Sequence, residues 1–418
     1  MQSDRGIKKF ILPTLLILVG EGVFILPFLI TRVFRPTFLT VFDITNFELG
    51  SAFSVYGIVA AISYFFGGPI ADRFSPKLLL SISLIATSLA GFLMASIPSV
   101  ATLTVLYGFW GLTTILLFWA AFIKANRLFW AEKSQGKAFG LVDAGRGLFA
   151  AILASASVII LDSFLPTVVE NATVEELTNA LSSVILLFSV ITLSFGILVL
   201  VFFPQKTVER KTEHKLSWSG VQLIAKNKSV WLNAIMVLCA YVGYKCTDDF
   251  SLYAADVLHY NDVEAAHIGT ISFWIRPFAA LGAGLLGDHF LHSKVIQVFF
   301  LLIFLCSLVI FLGIGSVSIS VIVILSLGFT SVGIYGLRGL YFATLSEAKI
   351  PLLLTGSAVG LISVIGYTPD IFFGPLMGII LDTYPGALGH EYLFGVLALF
   401  SIVGFIAAGL FRIKHIVS

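Results

Sequence analysis

The chain has 418 residues, of which 58% are hydrophobic and only 11% charged, and its mean hydropathy is +1.02. A soluble domain runs about 45–50% apolar and about 25% charged, so a soluble globule, a disordered segment and a nucleic-acid-binding protein are all excluded. The net charge of +2 says little about partners, but the positions of the charges say a great deal.

A helix crossing a hydrocarbon core about 30 Å thick needs about 20 mostly apolar residues. Twelve such stretches follow one another, at approximately 8–31, 48–71, 77–97, 100–124, 138–162, 181–204, 229–255, 265–288, 294–313, 318–346, 352–381 and 391–411. The first is not a cleaved signal peptide: it is too long, carries Glu21 at its middle and lacks a small-x-small cleavage site. One long connection divides the rest. The sequence therefore predicts an all-α membrane protein with six-helix bundles at 1–204 and 229–418, joined by a linker at 205–228. Trp218, Val221, Leu223 and Ile224 stand among lysines in that linker, which suits either an amphipathic helix on the membrane surface or a solvated tether.

Of the 25 basic residues, Arg32 and Arg35 fall in one set of loops, while Arg146, Lys245, Arg276 and Arg338 fall inside spans. All the others fall in the opposite set of loops or at the two ends, so the positive-inside rule places both termini in the cytoplasm of a cytoplasmic (inner) membrane. Charges within a bilayer are expensive and mark helices that face a cavity or the protein interior. Spans 3, 6, 9 and 12 have none between their ends. The others hold Glu21 (span 1), Asp143 and Arg146 (5), Lys245, Asp248 and Asp249 (7), Arg276 (8), Arg338 (10) and Asp370 (11). Every third helix is thus built for lipid, and the period of three predicts nested three-helix repeats around a polar centre.

The loop after span 2 reads Gly67-Gly68-Pro69-Ile70-Ala71-Asp72-Arg73-Phe74-Ser75-Pro76-Lys77, and the loop after span 8 repeats it in degraded form as Gly284-Leu285-Leu286-Gly287-Asp288-His289. The first resembles the loop 2–3 signature of the major facilitator superfamily, GxxxDRxxxxK/R. With twelve spans and a half-chain repeat, the resemblance covers nearly the whole sequence. It implies two pseudo-symmetric six-helix bundles, transport by alternating access, and a cytoplasmic gate latch at Asp72, Arg73 and Asp288. The segments 138–147 and 365–370 look similar to bacterial permeases grouped with nitrate or phosphate-ester carriers. The nitrate signature is absent, however, and Glu21 stands where the phosphate-ester family has an arginine, so neither substrate is carried over.

The intramembrane charges supply the candidate site. Lys245 with Asp248 and Asp249 has i,i+3 and i,i+4 spacing, and two adjacent carboxylates point about 100° apart, so one lysine does not pair both. Arg276 and Arg338 can fork onto an anionic group or bridge to Asp248, Asp249 or Asp370. The expected substrate contacts are Lys245, Asp248, Arg276, Arg338, Arg146, Tyr241 and Tyr367. Asp143, near the cytoplasmic end, is expected at the gate. Protonation of a buried carboxylate gives the cycle a charge change, with Glu21 expected first, as a carboxylate unpaired within its own helix, then Asp249 or Asp370. Five buried negatives against four positives suit a zwitterionic or anionic organic solute.

No metal or cofactor site is expected: Cys239, Cys246 and Cys306 lack CxxC spacing. HExxH, GxGD and Walker A motifs are absent, and the seven histidines lie in loops, at span ends or near the C-terminus, so an enzyme is not expected. The reading is a secondary transporter, monomeric, with a small solute, protons and the lipid bilayer as partners. The alternatives are a nutrient sensor or partner-binding protein on the same fold and, among transporters, an exporter or antiporter.

Overall fold

The computed structural model describes residues 2–129, 135–204, 224–313, 320–348, 350 and 355–416. Among them no strand occurs; eleven helices are long and apolar enough to cross a membrane, and a bent pair makes the twelfth. Numbered as spans in chain order, these are Leu12–Gly22 with Ile25–Val33 (span 1), Asn46–Arg73 (2), Pro76–Met94 (3), Val100–Asn126 (4), Gln135–Ser163 (5), Val174–Phe202 (6), Lys228–Asp256 (7), Asp262–His289 (8), His292–Phe311 (9), Ser320–Leu340 (10), Thr355–Gly366 with Pro369–Thr383 (11) and Ala387–Ile416 (12). Residues 205–223, including Trp218, Val221 and Leu223 of the expected amphipathic segment, lie outside the described residues.

Local chemistry sets where these helices start and bend. Capping boxes start span 2 (Thr45 with Glu48), span 6 (Thr173 with Glu176) and span 8 (Asn261 with Glu264), each satisfying two backbone groups that would otherwise lack partners. Span 1 bends by 43° just after Glu21, where Gly22 is followed by a π-turn, Ile25–Leu29, containing Pro27. Span 4 widens into a π-turn over Leu112–Trp119, and Thr113 and Thr114 back-bond to the Trp110 carbonyl. Span 11 breaks before Pro369, which cannot donate to the turn preceding it. Span 7 tightens into a single 3₁₀ turn, Thr247–Asp249.

Buried apolar side chains form one large cluster in the C-terminal half and two in the N-terminal half. The outward faces of spans 3, 6, 9 and 12 carry exposed Leu89, Val190, Leu305 and Leu399, a surface suited to lipid. Between the halves, spans 2 and 11 approach at one end so closely that a Cβ built on Gly50 would lie 2.2 Å from the Gly374 carbonyl oxygen. Spans 5 and 8 meet there too, where Trp274 Nε1 donates to Ser155 Oγ at 2.8 Å. The opposite end is open: Gly68, Gly282 and Gly284 face empty space, and Phe65, Phe278 and Leu285 are exposed.

Candidate functional site

A cavity of about 270 Å³ lies between the halves. Its wall takes residues from spans 1, 2, 4, 5, 7, 8 and 10 and from the break and second segment of span 11, and none from spans 3, 6, 9 or 12. Two charge clusters face each other across it.

The first joins spans 1, 5 and 8. Glu21, 7% exposed, sits at the bend of span 1 and takes Arg276 Nη1 at 3.0 Å and Arg146 Nε at 3.2 Å. Asp143, whose side chain is 61% exposed, approaches the same two guanidiniums at 3.5 and 3.6 Å. Gly147 lets span 5 pass close to Arg276, where a Cβ would lie 3.3 Å from its side chain. Glu21 is thus paired by arginines from two other helices. Within its own helix Glu21 has no basic partner; its two arginines are distant in sequence, and Asp143 belongs to the same cluster in the cavity wall.

The second cluster joins spans 1, 7 and 11. Asp248 accepts from Arg32 Nε at 2.6 Å and meets Lys245 Nζ at 2.9 Å. Asp370 accepts from the Tyr241 hydroxyl at 2.9 Å and lies 3.9 Å from Lys245 Nζ. Removing four such charges from water is costly, and mutual attraction offsets that cost only with good geometry. Arg32 also stacks on Tyr244, its guanidinium carbon 4.4 Å from the ring centre. Arg338 covers the same ring at 3.8 Å, and Tyr241 packs on Tyr367 at 4.9 Å. Arg338 differs from its neighbours: among the described residues it has no carboxylate within ion-pair distance, whereas Arg32, Arg146, Lys245 and Arg276 all do.

Two assignments made from sequence change. Arg32, placed in a loop, is a buried cavity residue, because apolar chain continues beyond it to Phe42. Asp249 is turned away by the 3₁₀ step and bonds His390, so it does not meet the cavity. The local balance becomes Arg32, Arg146, Lys245, Arg276 and Arg338 against Glu21, Asp143, Asp248 and Asp370, a surplus of one positive charge. The sequence also missed a group of contacts at the closed end. Asp382, ending span 11, accepts from the Asn46 and Phe47 backbone amides at 3.1 and 2.8 Å. Arg35 donates to Asn46 Oδ1 at 2.8 Å, and the Thr37 hydroxyl bonds Asp262 at 2.5 Å. The spacing of Thr45 and Glu48 is a sequence signal that could have marked a helix N-terminus here. Asp72, Arg73 and Asp288 are exposed at the open end, where Lys124 Nζ donates to the Ala71 carbonyl at 2.5 Å.

Eight spans surround a charged cavity that is closed at one end and open at the other. The profile of the Major Facilitator Superfamily matches residues 17–371. The chain belongs to that superfamily. Superfamily relatives extend along nearly its whole length. It is 29% identical over 376 residues to inner membrane protein YqcE of Escherichia coli (strain K12), covering 86% of this chain and 85% of that one. To inner membrane protein YihN of the same strain it is 27% identical over 406 residues, covering 95% and 94%. Among solved structures, a bacterial homologue of the human lysosomal transporter Spinster, in an inward-facing and unoccupied conformation, superposes with a TM-score of 0.73 at 16% identity, covering 98% of each chain. That last likeness concerns the superfamily fold alone.

Proposed function

We propose that the protein is a secondary transporter that carries a small organic anion through this cavity by alternating access, coupled to protons. The observation that carries the reading is Arg338, a cavity cation without a carboxylate, in a site with one surplus positive charge. Its guanidinium can take a carboxylate or phosphate in a forked pair. Tyr241, Tyr244 and Tyr367 supply a flat wall for the rest of the solute, and Lys245 and Arg146 line the same space. By the positive-inside rule the open end faces the cytoplasm, and Asp72, Arg73 and Asp288 would latch that end when it closes.

Thermal stabilisation of purified protein by panels of organic anions, zwitterions and neutral solutes tests this directly. The expectation is stabilisation by an anionic class. In Arg338→Gln the affinity should fall by about 10–150-fold, the worth of a charge-assisted bond of about 1.5–3 kcal/mol, with partial recovery in Arg338→Lys. Stabilisation by neutral solutes alone, or unchanged affinity in Arg338→Gln, rejects the reading. Binding without uptake into liposomes would indicate a sensor on a transporter fold.

For the coupling group, Asp370 is preferred over Glu21. Glu21 is gripped by two guanidiniums, whereas Asp370 is held by a tyrosine hydroxyl and a lysine 3.9 Å away, so losing its charge costs fewer contacts. Asp370→Asn should abolish uptake driven by a proton gradient while sparing counterflow; Glu21→Gln should damage both. Gradient-driven uptake that survives in Asp370→Asn would remove Asp370 from the role.

A further inference from the structure

Behind the cavity, in the C-terminal half, lies a third titratable cluster that the transport site does not use. His390, near the start of span 12, is 0% exposed. Its Nδ1 is 2.8 Å from Asp249 Oδ2 and its Nε2 is 3.1 Å from Asp256 Oδ2. Asp249 is itself fully buried, and its Oδ1 has no hydrogen-bond partner, whereas the Asp256 side chain is 39% exposed at the closed end. The ring of Tyr253 stands edge-on to the imidazole at 5.2 Å, and Glu391 follows His390 along span 12. From span 7, Cys246 and Asp248 neighbour Asp249. From the N-terminal half comes Arg35, buried and with Nη1 unpartnered.

Proton counting gives this geometry its meaning. A neutral imidazole has one N–H and can donate to only one carboxylate; the imidazolium donates to both. Two contacts of hydrogen-bond length therefore need one proton more than a neutral histidine and two carboxylates supply. The geometry points to a proton-binding site at His390, filled from the closed-end surface through Asp256, whose occupancy holds that end of the transporter shut. Loading is simple in balance: a proton from water reaches the Asp256 carboxylate and passes to Nε2, while the Nδ1 proton stays bonded to Asp249. The total charge of the three groups goes from −2 to −1.

The link to closure is span 7. The bound proton ties Asp249 and Asp256 of span 7 to His390 of span 12. The same stretch of span 7 holds the N-terminal half through Asp248 to Arg32, and through the Ser251 hydroxyl, which donates to the Arg32 carbonyl at 3.0 Å. Without the proton, a nitrogen lone pair faces a carboxylate, span 7 is freed from span 12, and the grip on span 1 loosens. A group that binds its proton better in one state biases the protein towards that state by the same factor.

This inference rests on the proton-coupled reading for its use in transport, but its test needs neither substrate nor gradient. Spin labels on Val174→Cys and Leu312→Cys, exposed on opposite halves at the closed end, report closure in a Cys306→Ser background. From pH 7 to pH 10.5 the closed population should fall at least about twofold. His390→Gln should remove the response. Asp256→Asn provides the sharper outcome: its amide donates to the neutral imidazole without any added proton, so closure should persist across the whole pH range. A pH-insensitive parent, or a parent-like response in either variant, overturns the site; if His390→Gln does not fold, Asp256→Asn decides alone. Gradient-driven uptake together with a pH-insensitive label distance would reject this site and leave the coupling reading standing. The reverse result would reject the coupling and leave the site.

Discussion

Asp248→Ala should destabilise the solubilised protein by about 3–5 kcal/mol, the cost of leaving buried charge uncompensated. The carboxylate is the shared partner of Arg32 and Lys245, and all three side chains are almost completely buried. Alanine would strand two cations away from water. Arg32 would keep the ring of Tyr244, and Lys245 the ring of Phe53, 4.7 Å from its ammonium, with the more distant Asp370 at 3.9 Å. Cation–π attraction contributes about 0.5–2 kcal/mol, too little to replace the carboxylate. Asp248→Asn keeps an acceptor and should fall between the parent and the alanine variant. Combining it with Arg32→Gln should recover part of the loss, because one stranded cation disappears with its partner. Thermal unfolding in detergent measures all four proteins. An alanine variant as stable as the parent would show that the cluster contributes nothing to the fold.

The second large effect is expected from a single methyl group. Gly50→Ala puts a Cβ 2.2 Å from the Gly374 carbonyl oxygen, and Gly378→Ala puts one 2.4 Å from the Phe47 Cα. Both obstacles are backbone, which cannot rotate aside as a side chain can, so spans 2 and 11 must separate. Overpacking of this kind costs about 1–3 kcal/mol, which corresponds to about a 5–150-fold loss of the closed state relative to its alternatives. Uptake should drop accordingly, with the label distance between positions 174 and 312 lengthened at every pH. Gly282→Ala is the control, because nothing lies within 4 Å of its added methyl. A normal distance in Gly50→Ala would mean that the close approach of these helices is not what shuts this end.

Span positions were legible because each of the twelve crossings repeats the same requirement of length and apolarity. The identity of the cavity-facing helices was legible for a similar reason. Spans 3, 6, 9 and 12 carry no internal charge, and none of them reaches the cavity wall. Partner choice was not legible. Nothing near Glu21 in sequence points to Arg146 or Arg276, and the i,i+4 spacing from Lys245 to Asp249 assumes a regular helix that the 3₁₀ turn interrupts. Arg32 was misplaced because a basic residue near the end of an apolar run reads as its boundary. His390 looked like a span-end residue, and its burial between two carboxylates depends on the packing of spans 7 and 12. The glycines of spans 2 and 11 mark a close crossing only once both helices are in place.

The bend in span 1 has a mechanical consequence. Glu21 lies on one side of the 43° joint and Arg32 on the other, and both are fastened to the opposite half, one to Arg276 and one to Asp248. A rigid rod with two fastenings would have to shear both at once when the halves rock. A jointed rod can release them in turn, as a zip does, pivoting on the Glu21 fastening while the Arg32 fastening lets go. If the halves rock as proposed, splitting one rupture into two smaller ones would lower the highest point on the path, and the π-turn containing Pro27 lies at that bend.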